Sequence, residues 1–240
     1  MKKHFLVLVA CSIVITTLAQ TDTNKETTPK RRPYVSSGGE AIFSLANLSI
    51  AGAERGTVLR FSPFFNVQTW VHMDRNEHFG WFSGLTLRNV GLIYDVPGTG
   101  IRKKARTYNV GIPLAFKVGD MDGKFVYAGY EIELAFNYKE KTFENEKKTD
   151  KFNVWFSDRV NLFQHGFFVG AQLPHGANIK FKYYLSRFYN NNYSERDANG
   201  VVTQPYAPID ANVFYFALSF MLRREEMEKF KKPITYSTRR

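Results

Sequence analysis

The chain has 240 residues, a net charge of +11 from 33 Lys and Arg against 22 Asp and Glu, and a single cysteine, Cys11. One cysteine excludes an internal disulfide framework and a cysteine metal site. Aromatic residues make up 16% while the mean hydropathy is negative, a combination that suits strands in which only alternate residues are apolar.

The first residues read as an export signal. Met1-Lys2-Lys3-His4 is positive, Phe5 to Ile15 is apolar, and Thr17 and Ala19 are the small residues before a cut. Residues 1–19 are therefore expected to be a signal peptide, leaving Gln20 first. The run is too short for a spanning helix, which needs roughly 20 apolar residues, so a membrane-bound chain would cross with strands. Leu8-Val9-Ala10-Cys11 is the competing pattern, a lipoprotein box with Cys11 lipidated. The apolar run before Cys11 is only six residues and continues past it, which favours cleavage after Ala19.

Losing Lys2 and Lys3 lowers the net charge from +11 to +9. Basicity alone would invite nucleic acid. Export removes that partner, and the expected partners are outer-membrane lipid and the phosphates of lipopolysaccharide.

Residues 20–38 carry Thr, Lys, Pro and Ser with no apolar period and read as a flexible leader. From residue 39 to 222 alternating segments follow one another, separated by turns. The first spans about 40–50, with an unclear phase. The second, 57–73, sets Leu59, Phe61, Phe65, Val67 and Val71 against Arg60, Ser62, Asn66, Gln68 and His72. The third, 79–96, sets Trp81, Leu85 and Leu87 against Gly84, Thr86 and Arg88. Val90, Leu92 and Tyr94 then suggest a flipped phase and a bulge near Gly91.

The fourth segment, 105–118, alternates Tyr108, Val110, Ile112, Leu114, Phe116 and Val118 with Asn109, Gly111, Ala115 and Lys117. Pro113 predicts a local irregularity. The fifth, 124–139, sets Val126, Ala128, Tyr130, Ile132, Leu134 and Phe136 against Tyr127, Gly129, Glu131, Glu133 and Asn137. Residues 140–151 read as a charged loop. The sixth segment lies within 152–173 and is clearest at 163–173. The seventh, 178–189, opposes Ile179, Phe181, Tyr183 and Leu185 to Lys180, Lys182, Tyr184 and Ser186. Residues 190–210 form a long polar loop. The eighth segment carries Phe214, Phe216, Leu218, Phe220 and Leu222 on one face, and residues 223–240 are a charged tail with a short helix expected at 224–231.

Connections alternate between short and long. The turns at Asp74, Gly119 and Pro174 are brief, while those at Pro97, Glu140 and Asn190 are longer or more charged. This asymmetry predicts an all-β fold: an antiparallel up-and-down transmembrane β-barrel of about eight strands, with short periplasmic turns, longer extracellular loops and both termini periplasmic. Trp70 and Trp81 beside one short turn are read as an interfacial girdle.

The Ala19-Gln20 signal end, Tyr108-Asn109-Val110-Gly111-Ile112-Pro113-Leu114 with Lys117, and the Gly-aromatic strands resemble the PorT-like small outer-membrane β-barrel proteins of Bacteroidota. The resemblance spans about 38–222 and implies an outer-membrane location. The tail beyond the last strand departs from the usual pattern.

An eight-stranded barrel has an interior just wide enough for side chains. Arg60, Arg88, Lys117, Glu131, Glu133, Lys180 and Lys182 are therefore expected to form a structural polar network in the lumen. Ser157, Asp158 and His165 are the only rim candidates for hydrolysis, and His165 as a plain rim or lumen residue is the better account. No catalytic, metal or cofactor site is expected. The expected role is structural, assembly or partner binding through the external loops or the C-terminal tail. The competing readings are a narrow porin-like barrel for small solutes and a soluble periplasmic lipocalin-like barrel with its apolar faces inward.

Overall fold

The computed structural model describes residues 32–196 and 199–223. The expected signal segment with Cys11, most of the leader, and the tail after Arg223 with its expected helix lie outside the described residues.

Eight strands close into one ring: β1 (Tyr34–Ile50), β2 (Val67–Asp74), β3 (Phe79–Asp95), β4 (Ile101–Asp120), β5 (Lys124–Glu144), β6 (Phe163–Gln172), β7 (Ala177–Tyr184) and β8 (Ile209–Arg223). Each is antiparallel to the next. Closure is made by β8 on β1, in register from Ser36↔Arg223 to Ile50↔Ile209. A closed ring has no edge strand left to template pairing with another chain.

Side-chain direction decides what kind of barrel this is. On β8, Phe216, Leu218 and Phe220 point outward and are 54%, 52% and 53% exposed, while Val213, Tyr215 and Ala217 point inward and are buried. Lys180 and Lys182 of β7, at 1% and 0% exposure, are inside. A water-soluble container would reverse both sets, so the lipocalin-like alternative is overturned. Val110, Ile112, Leu114, Phe116 and Val118 continue the apolar exterior on β4.

β1 begins at Tyr34, inside the stretch expected as leader. Its Ser36-Ser37-Gly38-Gly39 start has no apolar alternation because its inward side meets polar groups: Ser36 Oγ hydrogen-bonds His72 Nε2 at 2.8 Å. Gly38 is needed there, since a Cβ would stand 2.1 Å from the Phe220 carbonyl oxygen.

The second stave is broken, where one continuous strand was expected. Between the pairs Ile42↔Ser62 and Gly39↔Val67, β1 covers three residues (42 − 39) while the facing chain covers five (67 − 62). The surplus is an excursion at Pro63-Phe64-Phe65-Asn66, with Phe65 at φ 62°. The facing of residues is nevertheless as expected, with Leu59, Phe61, Phe65 and Val67 exposed and Ser62, Asn66, Gln68 and His72 buried.

The phase flip expected at Gly91 is absent. β3 and β4 keep one register from Thr86↔Gly111 to Asp95↔Arg102, and Val90, Leu92 and Tyr94 stay on the inward face with Thr86 and Arg88. What changes is the lumen, which turns from charged to apolar at that height. At Pro113 the β3–β4 ladder does lapse, between Ser83↔Leu114 and Thr86↔Gly111, where proline has no N–H to give. A bulge within the ring lies on β5: Tyr108 faces Asn137 but Asn109 faces Ala135, leaving Phe136 as the extra residue.

The charged loop expected at 140–151 is instead a hairpin. β5 runs on to Glu144, turns at Asn145 and Glu146 with positive φ, and returns as Lys147–Trp155 paired against it. The long polar loop is also ordered. Its Glu195–Arg196 and Val202–Thr203 segments pair, and Phe188, Tyr189 and Tyr206 turn back to be buried over the lumen.

Candidate functional site

The lumen is stacked in three layers. At the short-turn end Trp70 lies against Phe82, centroids 4.3 Å apart, with Tyr127, Phe125 and Phe168 around them. Trp70 is buried, so it is no girdle residue; only Trp81 of the expected pair faces outward. At the opposite end Tyr94, Tyr138, Tyr184, Phe188, Tyr189 and Tyr206 form an aromatic ceiling, with Tyr189 and Tyr206 stacked at 4.7 Å.

Between them lies the charged layer. Three carboxylates, Glu40, Glu131 and Glu133, meet three cations, Arg88, Lys180 and Lys182. Arg88 reaches Glu40 at 2.8 Å and Glu133 at 3.0 Å and also bonds Glu131. Lys182 bridges Glu131 and Glu133, both at 2.7 Å, and Lys180 pairs with Glu40. The spare lone pairs are used as well: Tyr184 Oη and Asn109 Nδ2 each donate to Glu133 at 2.7 Å, and Thr86 Oγ1 donates to Glu131 at 2.6 Å. Equal numbers of opposite charges let this layer stay ionised out of water, because each desolvated ion has direct partners.

Lys117 anchors a smaller cluster nearer the short turns. It lies 2.5 Å from Asp74 and donates to Tyr34 Oη at 3.0 Å and His72 Nδ1 at 3.1 Å. An ammonium can only donate, so Nδ1 of His72 accepts and Nε2–H donates to Ser36.

The structure thus brings together Arg88, Glu131, Glu133, Lys180 and Lys182, and holds Lys117 in a cluster of its own. Arg60 stands apart. It donates to the carbonyl oxygen of Asn89 at 3.1 Å and to its side-chain oxygen at 2.5 Å. Asn89 lies on the outward-facing side of β3, so Arg60 belongs to the wall beneath the Pro63–Asn66 excursion. There it helps replace the missing backbone ladder, together with Asn66, whose Oδ1 accepts from the Asn89 N–H at 2.7 Å, and Ser44, whose hydroxyl donates to the Gly91 carbonyl at 2.8 Å.

Sequence reading missed Glu40 and Asp74, the anionic halves of two clusters. Glu40 shares the even-numbered face of β1 with Ile42, Ser44 and Ala46, and that parity is the signal that would have found it. Asp74 looked like a turn residue because it ends its strand. His165 is neither rim nor lumen: it lies on the outward face of β6, with Nδ1 2.6 Å from Tyr130 Oη and its ring near that of Tyr130. Ser157 Oγ accepts from the Arg159 backbone N–H at 3.3 Å.

Above the ring, β4, β5 and the Lys147–Trp155 arm continue together as a three-stranded sheet. Arg159 meets Glu195 at 2.7 Å, tying the chain after that arm to the small hairpin of the long loop. This contact holds the Glu195 carboxyl below the usual range, chiefly through the hydrogen bond from Arg159.

An eight-stranded antiparallel ring with hydrocarbon outside and a neutralised, filled interior is a transmembrane β-barrel. No protein-family model matches the chain, and no curated protein matches it either. Among solved structures it is similar to Ail, the attachment invasion locus protein of Yersinia pestis, at 9% identity and TM-score 0.38, over 79% of this chain and 99% of that one. It is similar to Neisserial surface protein A at 8% identity and TM-score 0.38, over 80% and 99%. A third is the outer membrane protease OmpT from Escherichia coli, at 10% identity and TM-score 0.37, over 84% and 98%.

Proposed function

We propose that this chain is an integral outer-membrane barrel that does not conduct, and that serves as a structural or partner-binding element through the protein standing above its long-loop rim. The observation that carries the reading is the filled lumen: Arg88, Lys117, Glu131, Glu133, Lys180 and Lys182 are each at most 1% exposed, between an aromatic floor and an aromatic ceiling. A solute path would have to break several direct ion pairs in succession. The porin-like alternative has no comparable support.

The same reading places the long-loop end outside the cell and both termini in the periplasm. The even strand count and the brevity of the opposite turns support it, as does the export signal read in residues 1–19. Kinship with the PorT-like barrels of Bacteroidota belongs to the proposal and rests on the Tyr108–Leu114 motif with Lys117 and the Gly-aromatic strands. Lipid and lipopolysaccharide are the proposed surroundings, a protein partner is met through the outer loops or the tail, and no catalytic step is included.

Two measurements test this. Purified protein in planar bilayers should show no single-channel steps; discrete steps would replace the binding role with transport. A cysteine at Asn145, in the arm turn, should react with a membrane-impermeant maleimide on intact cells. Labelling only after the outer membrane is permeabilised would reverse the orientation.

A further inference from the structure

One outward face of the sheet above the rim is almost wholly cationic. β4 contributes Lys104 and Arg106, β5 contributes Lys139 and Lys141, and the arm contributes Lys148 and Lys151. Register places Arg106 opposite Lys139, Lys104 opposite Lys141, and Lys141 opposite Lys151. Directly opposed like charges destabilise a sheet, yet three such pairs adjoin one another here. Among the described residues none of these six ends in an ion pair. Nearby acids are engaged elsewhere, face the other way or sit at the margins: Asp95 binds Arg102 in a two-pronged contact at 2.7 and 2.9 Å, Glu140 faces inward and meets Lys103 at 3.0 Å, Asp150 pairs with Thr142 on the opposite face and accepts from the Lys151 backbone N–H at 2.7 Å, and Glu144 and Glu146 lie at the hairpin tip.

The face has a defined height. Lys104 and Arg106 share the outward side of β4 with Tyr108 and with Val110, Ile112 and Leu114 of the hydrocarbon exterior. Tyr108 and Phe136 are 6.5 Å apart and Phe136 stacks on Trp155 at 5.7 Å, an aromatic row of the sort found at the membrane–water boundary. Arg106 is two residues beyond Tyr108, about 7 Å along the strand. The cations therefore begin where the headgroups of the adjoining leaflet lie. Lys141 reports the crowding: partial burial, then repulsion from Arg106, Lys151, Lys148 and Lys104, pull its pKa below the ordinary lysine value.

We propose that this face is a binding site for the phosphates of an anionic outer-leaflet glycolipid of the lipid A type, its acyl chains lying on the outward apolar wall of β4 and β5. The hydrocarbon below, the aromatic row and the unneutralised cations above match such a molecule in order. The assignment of this face to the outer leaflet rests on the orientation proposed above, whereas phosphate binding by the face does not.

The test uses the full barrel in detergent, with bisphosphorylated lipid A as probe and native mass spectrometry or fluorescence titration as readout. R106Q/K139Q/K141Q should weaken binding by on the order of a hundredfold, about fivefold for each of the three charges removed. Removing both phosphates from the probe should weaken wild type similarly, and R75Q/K124Q at the short-turn end should change nothing. K104Q/K151Q is the second variant, used if the triple fails to show the gel mobility of a folded barrel. Equal binding by wild type and a folded face variant, or equal loss from R75Q/K124Q, overturns the site. Binding only to free inorganic phosphate, with no preference for the lipid, also overturns it. The Asn145 labelling result separates this outcome from an error in orientation.

Discussion

The charged layer gives the sharpest prediction. Arg88 bonds all three buried carboxylates of its layer, so R88M removes one of three cations and leaves two against three, a net charge of −1 where the layer had been neutral. Methionine keeps much of the apolar stem, so the loss is mainly electrostatic. Breaking a fully buried pair from one side costs about 3–5 kcal/mol, because the remaining charge stays desolvated and unmatched. R88M/E131Q restores the count to two against two and should recover most of that loss, to within about 1–2 kcal/mol of the parent. The assay is reversible urea unfolding in phospholipid vesicles, followed by tryptophan emission and by gel mobility before and after boiling. Trp70, in the layer beneath, provides a local signal. An R88M midpoint equal to the parent's, or a double variant that loses at least as much as R88M alone, would refute an electrostatic origin of the cost.

F216R, on the outward face midway along β8, should destabilise the barrel in vesicles by about 2–4 kcal/mol; an unchanged midpoint would mean this face does not meet hydrocarbon. N66A removes donors to the Ser62 carbonyl at 2.7 Å and the Glu40 carbonyl at 3.3 Å and an acceptor for the Asn89 N–H. Several of the groups it leaves unpaired sit in a wall that water does not reach, so a cost of several kcal/mol is expected, against little change for S37A. The Arg159–Glu195 contact should follow Glu195 protonation. The folded-state pKa is lowered, so its contribution is full above the unfolded glutamate value of about 4.3 and is lost as pH falls through the lower folded value. Amide exchange in the Glu195–Arg196 and Val202–Thr203 hairpin, compared between neutral and acidic pH, should show that opening; flat protection across the range would exclude it.

The barrel's surplus structure is concentrated at one end. β4 and β5 are 20 and 21 residues long, whereas β6 and β7 are 10 and 8. A strand of roughly 9–11 residues is enough to cross a bilayer, so half of β4 and β5 lies beyond that need. That excess builds the cationic sheet, and the Tyr189–Tyr206 ceiling and the ordered long loop stand beside it.

Period-two alternation alone assigned the faces of β4, β7 and β8, and it put Arg88, Lys117, Glu131, Glu133, Lys180 and Lys182 on the side away from Phe216, Leu218 and Phe220. Alternation is a property of each strand's own residues, which is why it can be read without a partner strand. It could not say what lies across the lumen. Arg88 and Glu40 are 48 positions apart in sequence, and only ring closure with its particular stagger brings them into contact. The same closure moved Trp70 from an expected girdle into the floor, kept Val90, Leu92 and Tyr94 inward as part of a ceiling, and set Arg60 in the wall. A sequence records which side a residue takes; the height at which that side is charged, aromatic or open depends on seven other strands.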